Sequence, residues 1–175
     1  MIMNKHALVV APALLALAAC QAETPAPSAA ETSAAPAAET STQPSAPAKP
    51  LEFETMTYDE FSPLIESGTG CSFSTTDDIL VLVSTAEVRP DAVAKGVVKL
   101  NGEPQVVTAS ESGGYEALMD GASFTGADGL SITVTRTSDI GTTGEIETTS
   151  WPATLMAERS DGGTASYEGI YGCGA

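Results

Sequence analysis

Val97-Val98-Lys99-Leu100, then Asn101-Gly102, then Glu103-Pro104-Gln105-Val106-Val107: two short runs parted by two residues decide how this chain folds. Asn-Gly is the strongest short-range signal for a type I′ turn, whose two central residues need positive φ, so the flanking runs are expected to pair as an antiparallel hairpin. Working outward, Ile79 to Ser84 (Ile-Leu-Val-Leu-Val-Ser) reads as a short buried strand. Asp128-Gly129 precedes Leu130-Ser131-Ile132-Thr133-Val134-Thr135, whose alternation buries three aliphatic side chains and points hydroxyls outward. Trp151 to Arg159, the turn Ser160-Asp161-Gly162-Gly163, and Thr164 to Cys173 make a closing hairpin. Strands and turns at this spacing predict a mainly β fold, a compact antiparallel barrel or sandwich of about seven or eight short strands. Ahead of them, Thr57-Tyr58-Asp59-Glu60 has the spacing of a capping box. Phe61, Leu64 and Ile65 then form one face of a two-turn N-terminal helix ending at Gly68, with Pro63 limiting its length.

The first twenty residues have a different character. Lys5 and His6 precede an uncharged apolar run from Ala7 to Ala19, thirteen residues long. That is short of the ~20 residues needed to span a bilayer but fits the apolar region of a signal peptide. The run ends in Leu17-Ala18-Ala19-Cys20, which resembles the lipobox of bacterial lipoproteins. The resemblance implies cleavage before Cys20, a diacylglyceryl thioether and an amide-linked chain on that cysteine, and the lipid bilayer as a partner. Several acyl chains, each worth about 0.8 kcal/mol per buried methylene, make a stable anchor. Gln21, where an Asp would mark inner-membrane retention, implies the outer membrane, facing the periplasm. Residues 1–19 are thus expected to be signal peptide, and 20–50 a lipidated cysteine with its tether. Residues 21–50 hold ten Ala and six Pro and no aromatic or large aliphatic side chain. Such composition cannot offset its own ordering entropy and predicts a disordered linker spanning roughly 30 Å as a coil. Residues 51–175 are expected to form the β domain.

The lipoprotein resemblance also sets the redox context. Cys20 is taken by lipid, leaving Cys71 and Cys173 as the two thiols in an oxidising compartment, and they are expected to form a disulfide. Charge and composition exclude more. The chain carries 23 acidic and 7 basic residues, a net charge of −16. So acidic a surface disfavours nucleic acid, which needs a basic patch, and suits a basic protein partner or plain solubility. His6 is the only histidine, and it leaves with the signal. Histidine-based triads, general bases and metal ligands are therefore excluded from the mature chain. No cofactor motif, catalytic set or metal set is present. Asp77-Asp78, Asp120-Gly121 and Asp128-Gly129 place carboxylates on turns without the spacing of a calcium loop. Trp151, Tyr167 and Tyr171 read as core aromatics, with a sugar-stacking surface as the alternative.

Ser112-Gly113-Gly114-Tyr115 resembles the Ser-Gly-x-x-Tyr motif of the membrane-bound inhibitors of c-type lysozyme. Those are lipoproteins with a small antiparallel barrel closed by a disulfide from an early to a late cysteine. The resemblance implies a binding loop at Ser112, Gly113, Gly114 and Tyr115, and a lysozyme as the basic partner. The family's following lysine is missing here, where the chain reads Ala122-Ser123-Phe124-Thr125-Gly126. The expected function is that of an outer-membrane-anchored envelope lipoprotein acting as a non-enzymatic binding module. Two alternatives stand beside it: a structural lipoprotein with no soluble ligand, and a carboxylate-based enzyme acting on glycans.

Overall fold

Eight of the nine strands form a closed antiparallel barrel in the computed structural model, which describes residues 50–144 and 147–175. The strands are β1 (Gly70–Thr75), β2 (Leu80–Thr85), β3 (Val93–Leu100), β4 (Glu103–Ser112), β5 (Gly121–Thr125), β6 (Ser131–Arg136), β7 (Thr142–Thr143), β8 (Thr149–Glu158) and β9 (Thr164–Gly174). Neighbours in sequence pair in space from β1 to β6; β6 then pairs with β8, β8 with β9, and β9 with β1. The two-residue β7 lies outside this ring and pairs only with the start of β8. Closure removes the sheet edges that an open sandwich would expose.

The Asn101-Gly102 turn is as expected, with φ of 55° and 81°. It joins β3 and β4 with Leu100 opposite Glu103. Alternation fills the interior. Phe73, Leu82, Val98, Phe124, Ile132, Leu155 and Tyr171 are all buried within one core. An eight-stranded barrel has an interior just wide enough for such side chains to fill, so the centre is packed. Trp151 and Tyr171 belong to this core, and Tyr167 packs against it, so the aromatics form no exposed stacking surface.

Each end of the barrel is covered by a different segment. At one end, Phe53 bridges to Leu100, its N–H donates to Tyr167 Oη at 3.2 Å, and the two rings meet edge to face at 6.0 Å. Leu51 and Met56 are anchored there by N–H donations to the carbonyl oxygens of Thr164 and Leu80. At the other end, α2 (Gly114–Met119) lays the buried Leu118 against the core.

Three details differ from the sequence reading. The N-terminal helix, α1, spans only Tyr58–Phe61. Glu60 Oε2 accepts the Thr57 N–H at 2.8 Å as the capping spacing predicts, but Pro63 has no N–H to continue the ladder. Cys71 lies inside β1, a strand that precedes the expected Ile79–Ser84 run, directly opposite Cys173 of β9. The two are joined by a disulfide with a Cα–Cα distance of 4.0 Å. That bridge staples the seam where the first and last strands meet. Gly121–Thr125, read only as a counterpart of an inhibitor segment, is a strand.

Candidate functional site

Ser112 ends β4 at the α2 end of the barrel, with its side chain exposed. Gly113 and Gly114, with φ of 146° and 62°, turn the chain into α2. Both N–H groups donate to the Ala92 carbonyl oxygen at 3.0 Å, and the Tyr115 N–H donates to that of Glu87 at 3.0 Å. Gly114 is buried, and a Cβ there would overlap the Arg89 carbonyl oxygen, so glycine is required for both conformation and space. Tyr115 is half-buried against the core, and burial pushes its phenol pKa upward. Thus, of the four residues expected to form a binding loop, Gly113, Gly114 and Tyr115 make a packed helix start and Ser112 is the exposed end of β4. Of them, Ser112 and Gly114 border a cleft.

That cleft, about 350 Å³, opens between β4 and β5. The two strands pair only at Thr108 with Thr125 and Ala109 with Phe124. Continuing the register would bring Ser110, Glu111 and Ser112 opposite Ser123, Ala122 and Gly121, yet no pairing forms there. A bulge accounts for the separation. On β4 the residues Ala109, Ser110 and Glu111 all face the single Ala94 of β3, and surplus residues of this kind bend a strand out of its sheet. Ala94, Leu118 and Val134 form the apolar depth of the cleft, Ala117 lies exposed at its edge, and Glu111 and Asp120 are the charged side chains among its described lining. Sequence reasoning missed this opening. A cue was present in Glu116-Ala117-Leu118-Met119, a run of strong helix formers between glycines that signals a helical crossover instead of a hairpin.

Arg136 fastens the rim. Its Nη2 meets Asp120 Oδ1 at 3.1 Å, and its guanidinium lies 4.7 Å from the centroid of the Trp151 ring. Elsewhere Lys99 Nζ pairs with Glu60 Oε1 at 2.6 Å, Arg159 with Asp161 at 2.6 Å, and Arg89 with Glu87 at 2.8 Å. The Lys99 hydrogen bond, with the Thr57 backbone and hydroxyl, lowers the Glu60 pKa to about 2.

A second groove, of about 740 Å³, runs between the α1 arm and the outer face of the seam. Phe61 and Ile65 form its wall, Ser72 and Ser150 its floor, and Glu66 is the charged side chain among its described lining. Among the described residues no three metal-ligating side chains gather. Asp77 and Asp78 follow β1, whereas Asp128 lies on the β5–β6 turn. Cys20, the expected lipidation site, lies outside the described residues. No family model, no curated protein and no solved structure matches the chain.

Proposed function

We propose that this chain is an outer-membrane-anchored envelope lipoprotein whose folded domain is a non-enzymatic binding module for a basic protein. The observation that supports this reading is electrostatic. Residues 51–175 hold five side-chain cations against twenty carboxylates, a net charge of −15. Among the described residues four of those cations, Arg89, Lys99, Arg136 and Arg159, are already paired within the domain. The remaining carboxylates create a negative field that attracts cationic surfaces and speeds their encounter. The β4–β5 cleft, whose described charged lining, Glu111 and Asp120, is acidic, is a concave feature within that field. Membrane attachment rests on the Leu17–Cys20 motif.

Binding of the purified full chain to basic and acidic proteins of similar size, measured across a salt series, tests the reading. The expected result is selective binding of basic proteins at low ionic strength, weakening as the Debye length contracts to about 8 Å near 0.15 M salt. Equal binding of acidic proteins, or no binding at low salt, would overturn it.

A further inference from the structure

We infer that the β4–β5 opening is a strand-docking slot, taking an extended peptide segment that carries a lysine or arginine. The inference rests on the binding-module reading and names how the partner is held. The geometry supplies the slot. Past Ala109 and Phe124 the two strands stop pairing although each continues for three more residues. On the far side β5 stays fully laddered to β6 through Gly121, Ala122 and Ser123, opposite Thr135, Val134 and Thr133. In an antiparallel ladder alternate residues turn their N–H and C=O to opposite sides. Some of these main-chain groups therefore face the gap, where they can bond to an inserted strand by β-augmentation.

The lining supplies the specificity. Side chains near the gap are small: Ala109, Ala117, Ala122 and the serines at 110, 112 and 123. A peptide backbone can therefore approach the strand edges without displacing a bulky group. Alternate side chains of an inserted strand point to opposite faces. One set would meet the apolar depth at Leu118 and Val134, and the other would meet Glu111 and the hydroxyls at the rim. With no cation in the lining among the described residues and Asp120 already engaged by Arg136, Glu111 is the anion there to receive a cationic side chain. The cavity, at the low end of the ~300–1,000 Å³ typical of ligand pockets, fits a few residues of chain and not a folded surface.

Three synthetic peptides test this with the purified full chain: Lys and Val alternating, Lys and Pro alternating, and Glu and Val alternating, all of equal length. Proline removes the donors that a strand needs while keeping the charge. Hydrogen exchange should show the Lys-Val peptide protecting amides in 110–112 and 121–123. The Lys-Pro peptide should bind about tenfold or more weakly, the loss of roughly one net hydrogen bond, and the Glu-Val peptide should not bind. Glu111→Lys combined with Ser123→Lys, both at exposed positions, should abolish the protection while exchange in the rest of the barrel stays unchanged. If Lys-Pro binds as tightly as Lys-Val, with salt sensitivity but no protection at the gap, the slot is refuted and the binding-module reading survives. If the basic peptides and the basic proteins all fail to bind at low salt, both fail. Protection of the gap without peptide, in a protein whose mass in solution is that of a dimer, would assign the slot to a second copy and overturn the inference.

Discussion

Tyr171 Oη donates to the carbonyl oxygen of Leu118 at 2.8 Å inside the core, joining the last strand to a helix 53 residues earlier. Tyr171 is wholly buried, and desolvation pushes its phenol pKa far up, so it stays a neutral donor. Tyr171→Phe keeps the ring but leaves that carbonyl without the phenol. The expected loss is about 1–2 kcal/mol, a few degrees in Tm, with faster amide exchange concentrated in α2. A drop in Tm with exchange rising evenly over the whole barrel would show that the bond does not hold the helix.

The Cys71–Cys173 bridge closes a loop with a sequence separation of 102. In the loop-entropy treatment a loop of that size contributes about 4–5 kcal/mol. Reductant should therefore lower the urea midpoint strongly, and the intact mass should lie two hydrogens below that of the reduced protein. Two thiols that react with maleimide without denaturant would contradict the bridge.

Glu60 gives the stability an acid limb. Its folded pKa of about 2 lies below the ordinary value of 4.5, owing first to the Lys99 hydrogen bond. A depressed carboxyl stabilises the fold above its unfolded pKa and loses that contribution as pH falls through the folded one. Wild type should therefore exceed Glu60→Gln in stability at neutral pH, and the difference should shrink steadily from about pH 5 to pH 2. A difference independent of pH over that interval would assign the effect to packing instead. Lys99, raised by the same pair, has the opposite sign, so its share fades only at strongly alkaline pH.

Cys20 is expected to carry lipid on the strength of Leu17-Ala18-Ala19-Cys20. Cys20→Ser should abolish partitioning into the detergent phase and labelling by a palmitate analogue. Labelling that persists in this variant would remove the anchor from the proposal.

The Ser112–Tyr115 resemblance predicts slowed lysis by a c-type lysozyme, and the structure sets the expected size of the effect. Tyr115 is half-buried, and the residues flanking the motif, Glu111 and Glu116, are acidic. The family's lysine is missing, and Arg89, whose backbone packs against Gly114, is held by Glu87 and Asp91. Losing the contact to the enzyme's catalytic carboxylates costs about 2–5 kcal/mol for such a buried pair. The expected outcome is weak inhibition at low ionic strength that disappears near physiological salt. An unchanged lysis rate with micromolar protein in low salt would retire lysozyme as the partner.

Local chemistry made much of the fold legible. Asn101-Gly102 sets its own turn, Leu130 to Thr135 display their alternation, and Cys71 and Cys173 had few possible partners once Cys20 was set aside. What stayed hidden depends on distant residues. The pairing of β6 with β8 skips β7, and no local pattern decides that a sheet curls into a barrel. The β4–β5 cleft follows from the bulge opposite Ala94, which is a property of three strands together. In Gly113-Gly114 the glycines marked a turn, but only the neighbouring Glu87–Ala92 backbone shows that it is a packed one.

The seam disulfide also governs how the domain would answer a mechanical load. A pull on the chain at Pro50 is met first by hydrogen bonds from Leu51, Phe53 and Met56, then by α1, all of them non-covalent. Cys71 is the first described residue covalently tied to another element. Under tension the arm from 51 to 70 can peel away, releasing roughly 65 Å of chain at ~3.3 Å per residue. For a load between Pro50 and the C-terminus, extension then stops at a covalent bond shared by the first and last strands. The α2 end and its cleft lie inside the loop that this bond closes, so a load between the arm and the C-terminus bypasses them and they can outlast the loss of the arm.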